Sequence, residues 1–289
     1  MTTNFIAGPD LDPHKPTLQL PANACDAHCH IFGPGDRFPY HPSRSYTPPD
    51  APKEQLKALH DHLGIARAVI VHASCHGTYM DATLDAIASS GGKYRGTAMV
   101  EQNVSDAELR RLHEGGIRAV RFNFVKHLES VPEPAEVVRM AERVLPMGWH
   151  LVVHLDAVDI VELSPLLLGL PVPFLIDHMA RVKTADGLKQ QPFQTLLELM
   201  AQDNAWVKIC GGERVSSGGP PFHDAIPFAQ ALIAAAPDRV LWGTDFPHPN
   251  VKHMPNDGDL VDLFGLYAPD AAVREKIVVD NPTRLYFAD

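Results

Sequence analysis

From residue 24 onward, short apolar β-rich runs alternate with longer segments of helical spacing, and this rhythm governs what the chain can fold into. The runs fall at 24–30, 67–72, 94–100, 117–124, 149–155, 173–177, 206–210 and 239–244. Helical patterns lie between them near 51–62, 79–90, 105–115, 134–147, 158–169, 191–203 and 224–236, with one more at 270–279. Ser105 and Glu108 read as a capping box, and Gly115-Gly116 as the stop of that helix. Nearly continuous apolar strands separated by helices imply a parallel sheet covered on its faces. Eight such units in this length predict a closed (β/α)8 TIM-like barrel. An open doubly wound sheet is the alternative, but no G-x-G-x-x-G follows the first strand. The Pro-, Gly- and Ser-rich segments 31–50 and 211–223 read as long loops after strands, where a barrel builds its active site. The expectation is one domain over 1–289, with 1–23 as an N-terminal extension.

The ends of those strands are polar where a buried sheet would be apolar. In "ACDAHCHIFGP", His28 and His30 alternate so that both imidazoles share one strand face. His72, Arg121, His154, His178, Lys208 and Asp245 close other strands. A barrel brings all of these ends to one face, which makes them a single constellation. His72 alone reads more readily as a hydrogen-bonded filler. Neutral imidazoles with a carboxylate can hold a divalent ion and activate water on it. Alternatively they polarise a carbonyl directly while the aspartate takes a proton from water. Both routes are hydrolysis.

Other chemistries find less support. No G-x-S-x-G elbow marks a serine nucleophile, and Cys75 beside His76 is a neighbour in sequence rather than a working pair. Cys25 and Cys29 lack a second cysteine pair for a structural zinc, and the four cysteines read as free thiols of a reducing compartment. A net charge of −10 without any basic run argues against nucleic acid, though not against an anionic substrate, since a few arginines set the field of a cleft. No signal peptide or membrane-spanning run is read, so the expected location is cytoplasmic.

The motifs "ACDAHCHIFGPGDRFPY", "YTPPDAP", "VIVHASCHG", "GIRAVRFNF", "IDHMARV", "VLWGTDFPHPN" and "DNPTRLY" carry a resemblance over nearly the whole chain. The sequence resembles the amidohydrolase superfamily and, within it, the 2-pyrone-4,6-dicarboxylate lactonases, with the sulfomuconolactone hydrolases close by. The resemblance implies a distorted (β/α)8 barrel. It makes Asp245 the general base and sets His28, His30 and His178 around a lactone carbonyl. Arg121, Arg214 and Ser74, with Tyr46, His76 and His127, become substrate contacts. Two positions depart from the dicarboxylate lactonases: His127 stands where a second arginine is usual, and His154 where they carry tyrosine. The first weakens an anion clamp. The second restores a histidine where metal-bearing relatives have a ligand, so His28, His30, His154 and Asp245 would hold one divalent ion, most readily Zn2+. The implied enzyme opens a small anionic lactone of aromatic-ring catabolism, as a monomer or small homo-oligomer. A decarboxylase or sugar-lactone isomerase on the same residues, or a catalytically dead barrel that only binds, are the competing readings.

Overall fold

The computed structural model describes residues 4–126 and 131–288. Within them eight parallel strands form one sheet in chain order, β1 (Cys25–Cys29), β2 (Arg67–Val71), β3 (Tyr94–Ala98), β4 (Ile117–Asn123), β5 (His150–His154), β6 (Phe174–Ile176), β7 (Ala205–Lys208) and β8 (Val240–Leu241). The helices are α1 (Lys53–Leu63), α2 (Asp81–Ser89), α3 (Asp106–Glu114), α4 (Pro134–Val144), α5 (Ile160–Leu168), α6 (Gln191–Met200), α7 (Gly212–Val215), α8 (Ile226–Ala235), α9 (Asp257–Tyr267) and α10 (Ala271–Glu275). The sheet closes on itself through backbone bonds from Ala27 to Trp242, from Asp245 to His28 and from His30 to Phe246. This is the TIM-like barrel expected from the alternation.

Two apolar layers hold it. Cys25, Ala27, Val69, Ala119, Val152, Leu175, Trp206 and Leu241 fill the barrel interior, with Tyr286 of the C-terminal segment against them. The opposite strand faces pack on the apolar stripes of the helices, as with Leu109 and Leu112 of α3 and Val137, Met140 and Val144 of α4. At α3 the Ser105 side chain accepts from the Glu108 amide, the expected half of a capping box, and satisfies one orphan N–H.

Three differences from the sequence reading stand out. Segment 211–223 is not all loop, because α7 occupies its start. Helix α9 is absent from the sequence reading, whose only helix after β8 begins at residue 270. Its first turn, Asp257-Gly258-Asp259, has the composition of a loop, yet Asn256 caps it by accepting from the Gly258 amide. The expected strand at 239–244 shortens because Trp242 and Thr244 leave the β7 ladder to bond β1. Among the described residues, no helix is long and apolar enough to cross a membrane.

Candidate active site

Simple alternation would send Ala27 and His28 to opposite faces. Instead β1 carries a bulge: three steps from Asp26 to Cys29 match two from Ala68 to Ile70 on β2. Ala27 therefore faces the barrel interior while His28 and His30 both reach the site at its C-terminal end. The bulge is fastened by buried Asp26, whose Oδ1 accepts from the His28 and Thr244 amides at 3.0 Å each. Thr244 Oγ1 donates to Asp26 Oδ2 at 2.6 Å, and His60 Nε2 lies 3.2 Å from the same oxygen. The chain after β8 approaches so closely that a Cβ on Gly243 would fall on the His28 amide, so only glycine serves there.

After β6 the chain runs through four left-handed residues, His178 to Arg181, with φ between 50 and 55°. Each such conformation costs an ordinary residue about 1–2 kcal/mol, and here the turn places His178 and Arg181 at the site. Gly211, at φ 82°, leaves room for the His178 ring, which a Cβ would strike.

Asp245 is the hub. Its Oδ2 accepts from Arg214 Nε and Nη2 at 2.5 Å each. Its Oδ1 faces three imidazoles, at 3.3 Å from His30 Nε2, 3.5 Å from His28 Nε2 and 3.9 Å from His178 Nε2. Burial would raise its pKa, but Arg214 and then His178 hold it well below the usual carboxylate range. A second buried carboxylate, Asp177, binds Arg121 Nε and Nη2 through Oδ2 at 3.1 and 3.0 Å. Its Oδ1 lies 3.1 Å from Lys208 Nζ, which in turn lies 3.1 Å from His28 Nδ1. Burial and then Lys208 push His28 down to about 3, and burial likewise pushes His154 and His178 well below the ordinary histidine value.

His30 Nδ1 lies 2.7 Å from the Val71 carbonyl, which can only accept, so that nitrogen carries a proton. In the uncharged ring Nε2 then turns a lone pair toward the Asp245 oxygen. Two acceptors at that separation require a proton or a cation between them. Asp245 Oδ1 and His28 Nε2 have no hydrogen-bond partner among the described residues. His28, His30 and Asp245 bring ligand atoms within 4.8 Å of one another, so this donor set suits a divalent ion such as zinc. The expected fourth ligand, His154, is not in that group. Its Nε2 lies 3.5 Å from Arg181 Nη1, and a guanidinium there disfavours a second cation.

One cavity gathers most of the expected residues. His30, Tyr46, Ser74, Arg121, His154, His178, Arg214 and Asp245 line it, joined by Arg181 and Asn250. Other expectations separate from it. Both ring nitrogens of His76 serve the loop after β1, at 3.2 Å from the Gly33 amide and 3.2 Å from the Pro39 carbonyl, so His76 is not brought to the cavity. His72 is held by Thr83 and Gly77, as a filler would be. His127 lies outside the described residues. Sequence reasoning missed Asp177 and Arg181, and gave Lys208 no role. A carboxylate at a strand terminus immediately before His178 was the available signal.

The buried histidines make a pH prediction. In the unfolded chain they take up a proton below 6.5, whereas His28, His72 and His150 stay neutral down to about 3 in the fold. The unfolded state then binds more protons, so stability falls as pH drops through this window, by about 1.4 kcal/mol per pH unit for each such group. Glu213, raised to about 7 by burial and then Asp245, and His248, which Asp257 raises against burial, act in the opposite sense but are outnumbered. The urea midpoint is expected to be clearly lower at pH 5 than at pH 7. An equal or higher midpoint at pH 5 would contradict neutral buried imidazoles.

A family model for amidohydrolases matches residues 25–288. Over 288 residues the chain is 48% identical to the 2-pyrone-4,6-dicarboxylate hydrolase of Comamonas testosteroni, covering 96% of this chain and 94% of that protein. It is 41% identical to the 4-sulfomuconolactone hydrolase of Rhizobium radiobacter, over 93% of this chain and 92% of that one. A solved structure from Agrobacterium tumefaciens superposes with a TM-score of 0.83 at 25% identity, over 95% of this chain and 99% of the other. The family match spans all eight strands and the site they carry, and the chain belongs to the amidohydrolase family.

Proposed function

We propose that this protein is a lactone hydrolase that opens a small anionic lactone of aromatic-ring catabolism, with Asp245 as the base that activates water. The observation that carries the reading is the split role of the Asp245 carboxylate, with one oxygen on Arg214 and the other facing three imidazoles. The charge around it favours an anion. Arg121, Arg181 and Arg214 line the cavity, with Asp245 the one carboxylate among the described lining residues, inside a chain of net charge −10. Relatives that act on a pyrone dicarboxylate and on a sulfonated muconolactone support both the ring ester and its acidic substituents.

Held down by Arg214, Asp245 is ionised but a poor base. A substrate carboxylate or sulfonate that draws the Arg214 fork to itself restores basicity at the moment of binding. Asp245 then takes a proton from water as its oxygen attacks the lactone carbonyl. Imidazole N–H groups of His28 and His178 stabilise the developing oxyanion. The ring C–O bond breaks, and the proton held on Asp245 passes to the departing oxygen. Ser74 and Tyr46 on the cavity wall orient the ring. In the alternative arrangement a divalent ion, for which zinc is our proposal, would be held by His28, His30 and Asp245, with His28 offering a lone pair in place of its N–H. When bound it would supply Lewis-acid polarisation of the carbonyl.

Arg214→Met is expected to lower kcat/KM by about 1.5–3 kcal/mol, the worth of a charge-assisted contact. The corresponding neutral ester should be a poor substrate and should not share this loss, because freeing Asp245 from Arg214 raises its basicity. Equal losses on both substrates would remove Arg214 from anion recognition. Chelation is expected to abolish activity and zinc to restore it. Full activity in metal-stripped protein would remove the ion and leave His28 and His30 as direct donors to the carbonyl oxygen.

A further inference from the structure

We propose that Lys208 decides which nitrogen of His28 carries the proton, and thereby whether His28 offers the Asp245 pocket an N–H donor or a metal-binding lone pair. The inference rests on the reading of His28, His30 and Asp245 as the chemical centre. Lys208 ends β7 with no solvent exposure, and its Nζ sits between His28 Nδ1 and Asp177 Oδ1 at 3.1 Å from each. An ammonium only donates, so His28 Nδ1 accepts and the proton of the neutral ring lies on Nε2. His30 is the reverse. Its Nδ1 donates to the Val71 carbonyl, which leaves the lone pair on Nε2. The two histidines of the His-x-His pair thus present opposite tautomers to Asp245 Oδ1, one donor and one acceptor.

Metal-bound histidines ordinarily give their other N–H to a carboxylate or carbonyl. Such a carboxylate is present here, since Asp177 Oδ1 lies 3.4 Å from His28 Nδ1. Its Oδ1 is ion-paired with Lys208 Nζ at 3.1 Å, and Lys208 is also the nearer neighbour of the ring. Lys208 therefore keeps Asp177 from completing a carboxylate–histidine–metal arrangement. With Lys208 in place and no ion bound, His28 is a hydrogen-bond donor suited to a carbonyl oxygen, and an ion must displace the Nε2 proton to bind there. Without Lys208, Asp177 can take the Nδ1 proton and free Nε2 for an ion. Lys208 is a positioning residue that sets the balance between the two chemistries.

The test begins with metal-stripped wild-type protein labelled with 15N-histidine. Two-bond nitrogen–proton correlations report each tautomer, and the His28 signal is assigned by its loss in His28→Gln. The expected pattern is Nε2–H for His28 and Nδ1–H for His30. An Nδ1–H pattern for His28 would overturn the proposal. Lys208→Met should convert His28 to Nδ1–H and raise the affinity for Co2+, read from cobalt absorption, by about tenfold or more. A folded variant with unchanged tautomer and unchanged cobalt affinity would also overturn it. If Lys208→Met does not fold, the wild-type pattern decides alone. Neither readout uses turnover, so a protein with these tautomers and no lactonase activity would defeat the functional reading and leave this one standing.

Discussion

Asp245→Asn is expected to lower kcat by about 10²–10⁴-fold with the fold intact, the usual worth of a positioned general base. The amide keeps the shape of the side chain but cannot take a proton from water. Arg214 would not be stranded, because it also donates to the Pro249 carbonyl at 3.0 Å and has Glu213 at 3.6 Å. Circular dichroism and thermal melting should therefore show a folded barrel. A variant that keeps more than about a tenth of wild-type kcat would take Asp245 out of the base role.

The second large effect is on stability. Arg121→Met is expected to cost about 3 kcal/mol or more, because breaking a buried ion pair leaves its partner uncompensated. The sequence suggests an arginine free to clamp a substrate anion. The structure ties Nε and Nη2 of Arg121 to fully buried Asp177, although the side chain also reaches the cavity wall. Arg121 thus has a structural duty that Arg214→Met does not test. A fall in the urea midpoint measures the effect, and adding Asp177→Asn should recover part of it, since the stranded charge is then gone. A midpoint unchanged by Arg121→Met would show that Lys208 alone suffices for Asp177, and Arg121 would return to the purely substrate-binding role.

Much of this was legible in the sequence because period and position carry it. Eight apolar runs separated by helical segments specify a barrel, and a barrel brings strand ends together. That is why His28, His30, His178 and Asp245 could be named as one site. What could not be read depends on geometry that no spacing encodes. The β1 bulge turns Ala27 and His28 to the same side, while a period of two separates them. The left-handed run from His178 to Arg181 delivers Arg181 to the cavity from a stretch the sequence assigns to neither strand nor helix. His76 sits in a promising motif but uses both ring nitrogens to hold a loop, a contact across 37 to 43 positions of chain. Asp177 hid beside a more conspicuous histidine. Its importance appears only once β4, β6 and β7 bring Arg121 and Lys208 to it.

The central claim is water attack on an anionic lactone at Asp245, and single-turnover hydrolysis in 18O-labelled water tests it most directly. Purified protein would be mixed with 2-pyrone-4,6-dicarboxylate and, separately, with 4-sulfomuconolactone. Ring opening of at least one of them is expected, with one label in the newly formed carboxylate, and a rate lower by about 10²–10⁴-fold in Asp245→Asn. No ring opening of either lactone by folded wild-type protein, with and without added zinc, would contradict it.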